Sequence, residues 1–271
     1  MQASELFNQP NTILLDGGMG TMLQAAGMKL GTRPEDLNLE NPELIRSIHA
    51  KYAAAGSRIV NANTFGASPH KLADSKYTLE EVITAGIANC KQAVAPYGAL
   101  VTLDVGPLGE LLEPSGTLAF EDAVAEYGRI VRAGVAAGAD ILYFETFTDL
   151  YEMKAALLAA KENSTLPIMA SMNFEANGRT FTGCTVESFA ATARGLGANA
   201  VGINCSLGPK EIFPMAKRLA EAVPGDFPVF VKPNAGLPRA DGSGYDITPE
   251  LFAQQMTPYR DLGLFAAGGC C

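Results

Sequence analysis

Three of the five cysteines, Cys205, Cys270 and Cys271, lie in the last quarter of the 271-residue chain. Three thiolates leave one position of a tetrahedral zinc ion open, which is the ligand count of a catalytic rather than a structural site. Adjacent cysteines ordinarily point apart, but the preceding Gly268-Gly269 gives the backbone freedom to turn both towards one ion. Two other readings stand beside this one: a buried, reduced Cys205, and a vicinal disulfide at the end of the chain. An odd number of cysteines is a poor disulfide framework, so reduced thiols and a cytoplasmic setting are expected. Cys90, in a helical stretch, and Cys184, just ahead of another, read as packing residues.

These cysteines follow a wider pattern. Short apolar runs recur at Ile13–Leu15, Arg58–Val60, Leu100–Val105, Ile141–Phe144, Pro167–Met172, Val201–Ile203, Pro228–Val231 and Leu264–Ala266. Each runs into a carboxylate, a carboxamide or a thiol: Asp16, Asn61 with Asn63, Asp104, Glu145, Asn173, Asn204 with Cys205, Asn234, and Cys270 with Cys271. Asn and Asp favour turns for local reasons, which accounts for any single position. Eight in succession point to a functional rim.

The elements that must position this rim alternate. Asn41-Pro42 caps a helix with Leu44, Ile45, Ile48 and Tyr52 on one face. Thr78 with Glu81 reads as a capping box, and Thr248-Pro249-Glu250 opens the last helix. Phe120–Ala137 and Leu150–Glu162 are Ala-rich with helical periodicity. Eight strands alternating with helices over about 250 residues predict a (β/α)8 TIM barrel, with an open doubly wound sheet as the rival. A barrel carries its chemistry at the C-terminal strand ends, where this rim falls. The long Gly- and Pro-rich stretches at Gly106–Gly116 and Asn234–Asp246 are expected to build that face.

Composition bounds the function. The chain is 48% hydrophobic and 18% charged, as for a globular protein with a sizeable core, and its net charge of -9 argues against nucleic-acid or anionic-membrane partners. No apolar run approaches the ~18 residues of a membrane span. Met1–Pro10 has no basic region followed by an apolar stretch, so no signal peptide is expected there.

The sequence resembles the homocysteine S-methyltransferases. The matching segments are Asp16-Gly17-Gly18-Met19-Gly20-Thr21, Asn61-Ala62-Asn63-Thr64-Phe65-Gly66, Asp104-Val105-Gly106-Pro107 and Phe144-Glu145-Thr146-Phe147. They continue through Gly202-Ile203-Asn204-Cys205-Ser206-Leu207-Gly208-Pro209, Pro233-Asn234-Ala235-Gly236 and Gly268-Gly269-Cys270-Cys271, in order over nearly the whole chain. Within the family, the sequence looks most like the homocysteine-binding module of cobalamin-dependent methionine synthase. The resemblance implies a zinc-dependent enzyme in which Cys205, Cys270 and Cys271 hold Zn2+ and homocysteine sulfur takes the fourth position, yielding methionine. It implies methylcobalamin as the donor, bound on a separate corrinoid-binding domain or protein, because no Asp-x-His-x-x-Gly motif occurs in these residues. Family members continue past the paired cysteines into a further helix. Residues 1–271 therefore read as a single homocysteine-binding barrel domain, or as one module of a longer protein.

Homocysteine also presents an ammonium and a carboxylate. Asp16 and Glu145 suit the ammonium, and the backbone N–H groups of Gly17 and Gly18 suit the carboxylate, although Asp-Gly-Gly is also an ordinary strand-to-helix turn. Asn204 and Asn234 are expected to orient ligands or loops; Asn61, Asn63 and Asp104 are candidates for the same work from a layer further out, and Asn173 has the weakest claim. His49 and His70 belong to helical surroundings, and Lys232 is expected to pair with a rim carboxylate without a catalytic role. Three alternatives remain open: a small donor such as S-methylmethionine or betaine, a non-catalytic module that presents substrate to another protein, and a barrel enzyme that binds phosphate on the loops after strands 7 and 8.

Overall fold

The computed structural model describes residues 7, 11–29, 31–239 and 244–271. The reading of Met1–Pro10 therefore lies outside the described residues except at Phe7, as do positions 240–243 of the loop at Asn234–Asp246. Eight parallel strands are present: β1 (Ile13–Leu14), β2 (Ile59–Asn61), β3 (Leu100–Val105), β4 (Ile141–Phe147), β5 (Ile168–Met172), β6 (Ala200–Asn204), β7 (Val229–Lys232) and β8 (Ala266–Ala267). They pair in the order β1-β8-β7-β6-β5-β4-β3-β2. A parallel bridge between Leu15 and Ile59 joins the two ends, with Arg58 N donating to Leu14 O at 2.8 Å. The sheet closes on itself, so the chain is a (β/α)8 barrel and not an open doubly wound sheet.

The connecting helices are α1 (Met19–Ala25), α2 (Leu37–Glu40), α3 (Pro42–Ala54), α4 (Leu79–Val94), α5 (Phe120–Ala136), α6 (Leu150–Asn163), α7 (Val186–Gly195), α8 (Pro209–Glu221) and α9 (Pro249–Met256). The expected caps form. Asn41 accepts from Leu44 N, Thr78 and Glu81 make a reciprocal capping box, and Thr248 accepts from Leu251 N. Each satisfies N–H groups that a helix start leaves without a partner.

Two cores result. A large one lies between the strands and the helices, and it includes Cys90. A smaller one fills the lower barrel with Leu15, Ile59, Ile141, Tyr143, Met169, Ala200, Phe230, Phe265 and Ala266. Side chains alternate along a strand, so the residues two and four positions further on stay inward. Ile141 and Tyr143 lead to Glu145, Ile59 leads to Asn61, and Phe230 leads to Lys232. One alternation thus fills the barrel floor with apolar groups and its mouth with polar ones.

Two strands depart from expectation. The apolar run Leu264–Ala266 reaches the sheet late, because a 3-10 turn (Thr257–Leu262) and Gly263 precede it, and β8 is assigned at Ala266–Ala267. Strand β4 does not stop at Phe144 but continues to Phe147 across a register shift. Thr146 sits within that irregularity at φ 65°, a left-handed conformation rare outside glycine.

Candidate metal and substrate site

The three expected metal ligands converge. The Sγ atoms of Cys205, Cys270 and Cys271 all lie within 4.8 Å of one another. Zn–S bonds of about 2.3 Å in a tetrahedron put sulfurs roughly 3.8 Å apart, so the donor set fits zinc. Cys205 and Ser206 follow β6 with φ of 65° and 55°, which turns the chain sharply at the first ligand. Such backbone costs of order 1–3 kcal/mol per residue and persists where its surroundings enforce it.

The other two ligands are held by a ladder. Beyond β8, Gly268 N donates to Val231 O (3.0 Å), Gly269 N to Asp16 O (3.0 Å) and Cys270 N to Pro233 O (2.9 Å). Cys271 N donates to Asn234 Oδ1 (3.0 Å), and Cys271 O accepts from Ala235 N (2.6 Å). Hydrogen bonds from Cys205 and Cys270 pull the Cys271 thiol down to about 3, while the same sharing raises Cys270. Cys205 is also raised, so the three sulfurs share one thiolate, on Cys271, which is the form that binds metal.

The sulfurs form one wall of a cavity of about 310 Å³ at the barrel mouth. Asp16, Gly17, Gly18 and Glu145 line it, as expected. Asn204 and Asn234 do not. Asn204 spends its amide on the protein: Oδ1 accepts from Thr146 N (2.9 Å) and Ser171 Oγ (2.8 Å), and Nδ2 donates to Thr146 Oγ1 (2.7 Å) and Glu145 Oε2 (3.3 Å). It braces the bent end of β4 against the start of the cysteine loop. Asn234 caps Cys271 N, and Asn173 accepts from Ser206 Oγ. These three position ligands and loops.

Lys232 has more work than expected. Its Nζ lies 2.8 Å from Asp16 Oδ1 and 3.9 Å from Glu145 Oε2. Burial alone would lower its pKa, but Asp16 and Glu145 outweigh that and hold the ammonium above its ordinary value. Asp16 Oδ2 accepts from Asn61 N (2.7 Å), so both Asp16 oxygens are engaged. Burial raises the pKa of Glu145, with Lys232 opposing, and that of Glu35. A lysine so committed to carboxylates offers little to a phosphate.

Sequence reasoning missed other lining groups: Pro34, Glu35, Tyr52, Phe65 and Thr146. Tyr52 was legible as part of the inward face of α3; its hydroxyl donates to Gly18 O (3.1 Å), and burial followed by Asp16 pushes its pKa up to about 12. Glu35, in a 3-10 turn (Pro34–Asp36) between α1 and α2, carries no local signal. The loop after β3 contributes no lining residue, Asp104 standing on the strand itself; the segments after β1 and β2 take its place. His49 is buried in α3, and neither histidine lines the cavity.

The sequence profile described as Homocysteine S-methyltransferase matches residues 13–271. The chain belongs to the homocysteine S-methyltransferase family. Methionine synthase of Mycobacterium tuberculosis is 30% identical over 277 residues, covering 94% of this chain and 23% of that protein. The chain thus spans about a quarter of the length of the curated relatives it matches. Among solved structures, the homocysteine methyltransferase MmuM from Escherichia coli in its metallated form superimposes with a TM-score of 0.81 at 25% identity, covering 99% of this chain and 94% of MmuM. Its oxidized form gives a TM-score of 0.82 at 24% identity. No helix among the described residues of this family member is long and apolar enough to cross a membrane.

Proposed function

We propose that the chain is a homocysteine-binding barrel module that activates homocysteine for methyl transfer, with zinc held by Cys205, Cys270 and Cys271. The observation that carries this reading is the opposition, in one cavity, of three clustered sulfurs to a buried set of carboxylates and backbone N–H groups. One end suits a thiol; the other suits a zwitterionic amino acid.

A free thiol with pKa ~8.5 is only about 3% ionised at pH 7. Zinc, when bound, supplies the missing acidity, and an all-thiolate ligand set keeps the acceptor sulfur electron-rich. The chain's own residues do the rest. Glu145 takes the substrate ammonium, and Gly17 and Gly18 take its carboxylate. Asp16 supports from behind, because Lys232 and Asn61 N occupy its oxygens. Asn204 fixes Glu145 relative to Cys205. The sulfur lone pair forms the new S–CH3 bond as the donor bond breaks, its electron pair leaving with the donor.

The cavity has room for an amino acid but not for a corrinoid as well, so methylcobalamin on a separate domain or protein must approach from above the barrel mouth. The free cysteines support the cytoplasmic setting expected from the sequence. The near end-to-end match with MmuM favours, as a second reading, a small onium donor entering the same mouth. Zinc analysis with a donor panel of methylcobalamin, S-methylmethionine and betaine, scored by methionine formed from homocysteine, tests both. Methionine from methylcobalamin alone supports the first; metal-loaded protein that neither binds homocysteine nor forms methionine with any donor overturns the proposal.

A further inference from the structure

We infer that Asp104, at the end of β3, is a specificity-determining residue that receives the substrate's ammonium together with Glu145. The inference rests on the reading of homocysteine as substrate. Asp104 lines the cavity, yet its Oδ1 is buried with no hydrogen-bond partner among the described residues. Buried carboxylate oxygens without donors are costly and rare, and a cavity-lining carboxylate that holds one has only to turn about its own side-chain bond to offer it to a donor brought by a ligand.

Its position is fixed. The Thr64 hydroxyl donates to Asp104 O (2.8 Å) and accepts from Asp104 N (3.1 Å), so one side chain clamps both main-chain groups. In the sheet, Asp104 pairs with Tyr143, which places Glu145 two residues further along the inward face of the neighbouring strand. Burial, reinforced by Glu145, raises the Asp104 pKa well above the carboxylate range, as expected of two acids in one dry site.

The charges define the ligand class. Asp16, Glu35, Asp104 and Glu145 line the cavity with a single lysine, and that lysine is bonded to Asp16. Glu35 accepts from Gly66 N (2.7 Å). The remaining demand is for a cation that carries several N–H donors. A metal ion does not answer it: among the described residues, the one group of three or more metal-competent side chains is the cysteine cluster. A primary ammonium has three donors, more than Glu145 alone can accept in one direction. A desamino thiol would leave Asp104 as it stands.

Calorimetric titration of the zinc-loaded chain with L-homocysteine and with its desamino analogue, a mercaptobutanoate, tests this. Asp104→Asn, and Asp104→Ser should Asn fold poorly, are expected to weaken homocysteine binding by about 10- to 100-fold, the size of a lost hydrogen bond to a charged group. Affinity for the analogue and zinc content should stay as in the unaltered chain. Equal losses for both ligands, or unchanged homocysteine affinity, overturn the inference. Unaltered protein that binds the analogue as tightly as homocysteine also overturns it while leaving thiol binding intact; protein that binds neither ligand removes the substrate reading itself.

Discussion

Lys232 Nζ and Asp16 Oδ1 stand 2.8 Å apart inside the barrel, with both side chains almost wholly buried. The pair links the end of β7 to the second residue beyond β1, across β8. Removing one partner of a buried pair leaves an uncompensated charge, which costs about 3–5 kcal/mol. Lys232→Met should therefore lower stability by that amount in urea unfolding, and adding Asp16→Asn should restore most of it. A loss of less than about 1 kcal/mol would assign the pair the weight of a surface ion pair.

The sulfur cluster makes a separate prediction. Cys205→Ser, Cys270→Ser and Cys271→Ser should each abolish tight zinc binding, whereas Cys184→Ser, at a cysteine outside the cluster, should leave it intact. Zinc should also raise the melting temperature of the unaltered chain, because a ligand that binds only the folded state stabilises it. Elemental analysis after dialysis reads the first result, and full metal content in Cys205→Ser would contradict the assignment.

Gly18 is required by a close approach. A Cβ there would collide with the Cys270 carbonyl oxygen and lie 2.8 Å from Thr21 Oγ1. Gly18→Ala should push the cysteine loop away while sparing the barrel. Homocysteine affinity is expected to fall by about 10- to 100-fold, the scale of a displacement near 1 Å in a positioned site. Circular dichroism and the urea midpoint should change little; a large fall in the midpoint would show that the contact supports the fold instead.

The barrel was legible because strand runs, caps and helical faces are local signals that agree with one another. The rim was legible for a related reason: period-two alternation carries an apolar floor such as Ile141–Tyr143 into a polar mouth at Glu145. What escaped depends on contacts between distant segments. Nothing near Glu35 announces that it reaches Gly66, and nothing near Asn204 announces that Thr146, Ser171 and Glu145 use up its amide. Lys232 was placed correctly beside a carboxylate, but its two partners lie on β4 and beyond β1, a choice only closure of the barrel makes.

His49 gives a prediction away from the site. It is fully buried in α3, neither ring nitrogen has a partner among the described residues, and burial pulls its pKa down to about 4. The unfolded value is near 6.5, so between these limits the unfolded chain binds a proton that the native chain refuses. Stability from this residue is therefore complete above about pH 6.5 and is lost as pH falls towards 4, by up to about 3 kcal/mol. Burial raises Glu35, Asp104, Glu145 and Glu152, which act in the opposite sense, so the pH profile of the unaltered chain mixes both effects. His49→Leu isolates the histidine. Its stability advantage in urea unfolding should grow steadily as the pH falls from about 7 to 5, and a difference that stays constant across that range would show that His49 titrates in the native state as it does in the unfolded chain.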